Sequence, residues 1–254
     1  MPQIFALIPA RFHSTRFPGK PLAMIAGKPM IQHVYERALL IPDIANVYVA
    51  TDSSEIFDRV LEFGGKCIMT STRHASGSDR ISEAAHTLGI SDDDIVVNVQ
   101  GDQPVLNPRH PWVLANTLLN SQEFVVSTLV IPISSPAEIN DPNLVKVVFG
   151  ERGQALYFSR APIPYPRDGQ GSYFKHIGIY AFRASFLYKF VTLPRGNLES
   201  LENLEQLRIL EHGYSLKVLV GSGVSAEVDV PSDIQKAEEA LKLDNDTPLN
   251  NPRL

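Results

Sequence analysis

The run DIVVNVQGD, residues 94–102, sets the tightest limit on the fold. It is apolar on both faces, and only a strand covered on both sides keeps such a run from water. Upstream, short apolar runs alternate with helical patterns. IFALI (4–8), NVYVATD (46–52) and KCIMT (66–70) read as strands. PMIQHVYERALL (29–40) reads as a helix with Ile31, Val34, Tyr35 and Ala38 on one face. SSEIFDRVLEFG (53–64) is a second helix stopped by Gly64, and SDRISEAAHTLG (78–89) a third that Ser78 can cap. Strand–helix alternation of this kind predicts a parallel sheet flanked by helices.

Beyond about residue 120 strands dominate: FVVSTLVIPI (124–133), LVKVVFG (144–150), ALYFS (155–159), FKHIGIYAFR (174–183) and SLKVLVG (215–221). RAPIPYPRDGQGSY (160–173) is a Pro/Gly-rich loop, and 161–173 is a candidate lid. ASFLYKFV, SDIQKAEEALKL and LESLENLEQLRILEHG read as helices, the last with leucines at 201, 204, 207 and 210. The tail from 244 reads as loose. No linker divides the chain. The expected fold class is α/β: a Rossmann-like, mostly parallel sheet flanked by helices, with a β-rich lobe inserted in the second half. Residues 1–254 form one expected domain. It has a nucleotide-binding half to about 120, a sugar-binding and dimerisation lobe over about 121–225, and a metal-ligand strand end with closing helix over 226–254.

Composition narrows the function. The chain has 23 basic and 28 acidic residues, a net charge of −5, which argues against a nucleic-acid partner. One cysteine, Cys67, excludes an internal disulfide and a thiolate cluster and fits a reducing cytoplasm. No run reaches the roughly 18 apolar residues of a membrane span, and the N-terminus lacks a signal-peptide pattern. The segment IPARFHSTRFPGKPL (8–22) then stands out. It places Arg11, Arg16 and Lys20, with Gly19, just after the first strand. Ligands of open parallel sheets bind beyond the carboxyl ends of the strands, and three cations there suit a polyphosphate. A P-loop is excluded, because Ser14 stands where its first glycine is needed and Pro21 follows the lysine. The dinucleotide fingerprint GxGxxG is absent as well.

The same loop, with GKPMIQHVYERA, VATD, TSTRHASGSDR, VNVQGDQP, YFSRAPIPY, KHIGIYAF, LENLEQLRILEHG and VDVPSD in that order, resembles the CMP-Kdo synthetases. These are the 3-deoxy-manno-octulosonate (Kdo) cytidylyltransferases of the sugar nucleotidyltransferase superfamily. The resemblance runs over about residues 3–240. It implies transfer of CMP from CTP to Kdo with release of diphosphate, for lipopolysaccharide core synthesis, by a cytoplasmic homodimer that uses Mg2+. It implies that Arg11 and Lys20 neutralise the triphosphate. Ala10, Ser14, Ser78 and Arg80 would complete the nucleotide site. Asp102 and Asp229 would hold the metal. Gln100, Arg160, His176, Tyr180, Glu205 and Gln206 would line the sugar site. Each has a plainer alternative: a turn for Asp102, a helix cap for Asp229, a surface ion pair with Glu83 for Arg80, a structural histidine for His176, a solvated face for Glu205. Two positions depart from the family, Gln103 and Asp79, where glutamates are usual. A sialic acid cytidylyltransferase and a CTP-binding regulator without catalysis are the rival readings.

Overall fold

The computed structural model describes residues 1–13, 17–168, 171–222 and 227–245. Strand β1 (Ile4–Ala10) leads through a loop and a 3₁₀ turn, Lys20–Leu22, to the small hairpin of β2 (Met24–Ile25) and β3 (Lys28–Pro29). Helix α1 (Met30–Ala38), β4 (Ile44–Thr51), α2 (Ser54–Glu62), β5 (Cys67–Met69), α3 (Gly77–Thr87) and β6 (Ile95–Asn98) complete the alternating half. There follow α4 (Arg109–Leu119), β7 (Val126–Pro132), α5 (Pro136–Asn140), β8 (Lys146–Phe149), β9 (Ala155–Ser159) and β10 (Phe174–Arg183). The chain continues with α6 (Ala184–Phe190), α7 (Asn197–Glu202), α8 (Gln206–Glu211), β11 (Leu216–Val220) and α9 (Asp233–Asn245).

The main sheet has the order β11-β7-β10-β6-β1-β4-β5, mixed but mostly parallel and flanked by helices. Strand β10 is the exception, antiparallel to both β6 and β7. The β-rich second half is present, and its strands β7, β10 and β11 carry on the same sheet while the β8–β9 hairpin hangs from β10. Alternation along each strand feeds two cores. Ala6, Ile8, Val97 and Val99 face α1, α2 and α4; Leu7, Val96 and Phe182 face α3, α6 and α8. Strand β6 is buried throughout, as its sequence requires. The stripe on α1 is the expected one, since Ile31, Val34, Tyr35 and Ala38 are all buried.

Three local expectations are corrected. Ser78 does not cap α3. Ser76 does, in a capping box: its hydroxyl accepts from Asp79 N, and the Asp79 carboxylate accepts from Ser76 N, both at 3.1 Å. This is the work of Asp79, where the family usually has glutamate. The leucine-rich segment is two short helices, because Asn203 takes a left-handed conformation (φ 53°), which Asn tolerates better than most residues. A spacing of three also drifts around a helix of 3.6 residues per turn, so Leu201 is 74% exposed while Leu207 is buried. Helix α4 was not expected, because prolines punctuate its sequence; Pro108 and Pro111 lie at its first turn, where proline fits.

Candidate active site

Strands β1 and β6 end side by side, and their loops form a cleft of about 450 Å3. Ala10, Arg11, His13, Lys20, Gln100 and Asp102 line it. Two glycines permit this arrangement. A Cβ on Gly101 would stand 2.9 Å from Pro9 O, so only glycine lets the two loops touch. Gly19 holds φ 69° at the start of the 3₁₀ turn and donates its N–H to Phe12 O at 2.9 Å, closing the loop behind Lys20. Its positive φ is one that other side chains rarely adopt, so its conformational freedom is used here.

Lys20 Nζ donates to Asp102 Oδ2 at 2.8 Å and to Asp229 Oδ1 at 3.1 Å. Two carboxylates from distant parts of the chain thus converge on one cation. Asp102 does stand in the turn after Gly101, and its carboxylate is turned to Lys20. The turn at the start of α9 is held by Asp233, whose Oδ2 accepts from Asp229 N and Val230 N at 3.0 Å, while the Asp229 carboxylate accepts from Lys20. The backbone bond from Val228 N to Asp102 O, 3.0 Å, holds the two segments together. A pair of aspartates converging on a single positive centre is a donor set that suits a hard divalent cation, with phosphate and water oxygens completing the shell. Among the described residues no three His, Cys, Asp or Glu converge to hold a metal ion, and Asp102 and Asp229 are the carboxylates that meet at Lys20.

Beside this pair lies Glu227, which the sequence reading missed. Its Oε1 accepts from Gln103 Nε2 at 2.9 Å, and the same amide donates to Ile177 O at 2.8 Å. Desolvation of the carboxyl and repulsion from Asp102 raise its pKa to about 7. The signal was available: EVDVPSD (227–233) places acids at 227, 229 and 233 in one short segment, which forms no strand although a strand end was expected there. Gln100 donates from Nε2 to Gly178 O at 2.9 Å, which ties the cleft to the middle of β10.

A second, more enclosed group sits on β10 and the break between α7 and α8. His176 and Tyr180 share a face, with ring centroids 5.1 Å apart, and Phe158 meets the imidazole edge-on. Thr128 gives its single hydroxyl proton to Ile179 O at 2.7 Å, so the 2.8 Å contact with His176 is a donation from Nε2–H. The ring is then neutral with Nδ1 as the acceptor, and burial drives its pKa down to about 3. Burial likewise raises the Tyr180 phenol. Glu205 Oε2 accepts from the Ser78 hydroxyl at 2.7 Å. Its Oε1 is buried without a hydrogen-bond partner, and Arg208 Nη2 lies 3.8 Å from it. Burial raises the pKa of this carboxyl, and Asp79 adds to the effect. Gln206 borders the same small cavity as Ser78, Tyr180 and Glu205.

Arg80 and Arg160 are each held by groups of the protein itself. Arg80 is fully buried and does not line the cleft. It bonds Thr70 and Asp52, the latter at 2.7 Å, in place of a surface pair with Glu83. Arg160 is held by carbonyls, Nε to Glu202 O and Nη1 to Pro142 O, both at 2.9 Å. Ser14 and Arg16, expected at the nucleotide, lie outside the described residues, as does part of the 161–173 loop.

The profile of the cytidylyltransferase family matches residues 5–219. This chain belongs to that family. It is 53% identical over 240 residues to the 8-amino-3,8-dideoxy-manno-octulosonate cytidylyltransferase of Shewanella sp. (strain W3-18-1), covering 94% of this chain and 98% of that one. The enzyme of the same description from Shewanella baltica (strain OS155) is 51% identical over the same coverage. Among solved structures, CMP:2-keto-3-deoxy-manno-octonic acid synthetase complexed with CTP superposes with a TM-score of 0.90 at 43% identity, covering 95% of this chain and 99% of that one. 4-Diphosphocytidyl-2C-methyl-D-erythritol synthase, at 14% identity and a TM-score of 0.66, shares the fold. Among the described residues, no helix is long and apolar enough to cross a membrane.

Proposed function

We propose that this cytidylyltransferase transfers CMP from CTP to an acidic eight-carbon sugar, with 8-amino-3,8-dideoxy-manno-octulosonate as its acceptor. The observation that carries the reaction class is the pair Asp102 and Asp229 converging on Lys20 inside the cleft that Ala10 and Arg11 line. The sugar's anomeric oxygen attacks the α-phosphorus and diphosphate leaves, a displacement that needs positioning and charge neutralisation more than covalent help. Arg11 and Lys20 offset the charge that grows on the departing diphosphate. Asp102 and Asp229 would hold a Mg2+ ion, which supplies Lewis-acid neutralisation at the phosphate when bound. Backbone groups at Ala10 bind the base. Gln100, the neutral His176 and Tyr180 orient the sugar hydroxyls, Gln206 joins them, and Arg160 meets the carboxylate. A cytoplasmic homodimer is part of the same reading, and sedimentation equilibrium showing monomer alone would remove the dimer.

The amino sugar is favoured by the 53% identical relative. The second reading, Kdo itself, is favoured by the 43% identical synthetase. Diphosphate release from CTP, Mg2+ and each sugar decides between them. A higher kcat/KM with the amino sugar is expected. A preference for Kdo in the unaltered enzyme would overturn the amino-sugar assignment, and CTP binding without turnover on any acid sugar would overturn the reaction.

A further inference from the structure

We propose that Glu202 is a positioning residue for Arg160, holding both the main chain and the guanidinium of that arginine so that its remaining donors meet the carboxylate of the acidic sugar. The inference rests on the reading of Arg160 as the partner of that carboxylate.

Glu202 ends α7, just before the left-handed Asn203. Its carboxylate accepts from two donors at the end of β9: the Ser159 hydroxyl on Oε1 at 2.6 Å and Arg160 N on Oε2 at 3.0 Å. Its own carbonyl accepts from Arg160 Nε at 2.9 Å. Ser159 is buried, and its Oγ also accepts from Ala161 N at 3.0 Å, so the chain is pinned on both sides of Arg160. Lys146 and Tyr157 also stand near the Glu202 carboxylate. Arg160 Nη1 gives one proton to Pro142 O at 2.9 Å. With Nε and Nη1 so engaged, the second Nη1 proton and both Nη2 protons bond no acceptor among the described residues. A carboxylate takes two such donors side by side. The place lies beside the enclosed group: Phe158, two residues before Arg160, meets the His176 ring edge-on, and Ser159 pairs with Lys146, which pairs with Lys175. Holding Nε fixes the plane of the guanidinium, and a two-point contact depends on that plane. Ordering the side chain beforehand also removes the rotamer freedom that a loose arginine would lose on binding.

Two variants separate geometry from charge. Glu202→Asp keeps the charge and withdraws the carboxylate from β9. Glu202→Gln keeps the reach without the charge: its amide oxygen still accepts from Arg160 N, and its NH2 donates to Ser159 Oγ. Steady-state kinetics are run with 8-amino-3,8-dideoxy-manno-octulosonate and with Kdo, both of which carry the carboxylate, and the faster substrate is used; circular dichroism confirms the fold. Glu202→Ala and Glu202→Asp should raise the KM for the sugar about tenfold and leave the KM for CTP within about twofold. Glu202→Gln should stay within about threefold of the unaltered enzyme on both. With Arg160→Ala already in place, Glu202→Ala should add less than about twofold, because its effect passes through the arginine. An unchanged sugar KM in Glu202→Asp, a Glu202→Gln enzyme as poor as Glu202→Ala, an equal rise in the KM for CTP, or a full added loss in the Arg160→Ala background would overturn the proposal. Arg160→Ala alone tests the underlying reading. If it leaves the sugar KM unchanged, the assignment of Arg160 fails; if it raises that KM and Glu202→Asp does not, only the role of Glu202 fails.

Discussion

The two halves of the candidate site are built in opposite ways. The cleft at Lys20 is open and assembled from loop ends, and its groups are held by ion pairs of modest burial; Asp102 and Asp229 side chains are 31% and 41% exposed. The group around His176, Tyr180 and Glu205 is enclosed, fixed by strand pairing and by the α7–α8 break, and its titratable groups are pushed toward their neutral forms. Chemistry that must accept a highly charged nucleotide needs the first kind of construction, because solvent screens its charges until the ligand arrives. Recognition of hydroxyls and amines needs the second, since neutral, locked donors and acceptors discriminate without reorganising. The same residue type therefore means different things in the two places: a carboxylate at 102 is an exposed charge, and one at 205 is a buried acceptor.

The sharpest break of this contrast is Asp102→Ala. Turnover should fall by about 10³-fold or more, equivalent to about 4 kcal/mol, while the thermal midpoint stays close to that of the unaltered protein. Steady-state kinetics and a melting curve check it, and near-normal turnover would remove Asp102 from the mechanism. Arg80→Ala should do the reverse. It strips a fully buried cation from Asp52, so stability should fall by about 3–5 kcal/mol in urea titration, and any loss of activity should follow the loss of fold. A stable Arg80→Ala protein with weak CTP binding would return Arg80 to the nucleotide.

The enclosed half should also show in pH dependence. The folded pKa of His176 lies near 3, against about 6.5 in an unfolded chain. Between those values the unfolded chain binds a proton that the folded one does not, so stability falls as pH falls below 6.5, by at most about 1.4 kcal/mol per unit. Urea midpoints at pH 5.5 and 7.5 should differ more for the unaltered protein than for His176→Gln. Equal pH dependence would mean that the folded imidazole protonates. The smallest effect is expected at Asn203. Replacing it by Ala should destabilise by about 1 kcal/mol through the left-handed backbone, and replacement by Gly should not.

Much of the fold was legible because β6 and α1 carry periodicities that admit one reading. Lys20 and Asp102 were legible because they follow strand ends; Asp229, expected at a strand end, follows none, yet the structure sets both aspartates within 3.1 Å of Lys20 Nζ. The failures share a cause. Arg80 was read as reaching ligand or surface, but whether an arginine points outward depends on a carboxylate 28 residues away in sequence. Glu227 went unnoticed because its meaning lies in Gln103, 124 residues earlier. The leucine repeat suggested one helix because periodicity says nothing of a single left-handed residue. Local pattern reports elements, and long-range pairing decides what a polar side chain does.

The ion pair between Lys20 and Asp229 joins residues 209 positions apart. On a ribosome, the first half of the sheet and the loop that carries Lys20 emerge long before that aspartate does. Contacts of such sequence separation form only after the intervening chain has been ordered, since the entropy of closing the loop must be overcome first. The Lys20–Asp229 pair is thus a property of the finished polypeptide, and a nascent chain that has already built most of its sheet lacks it until residue 229 arrives.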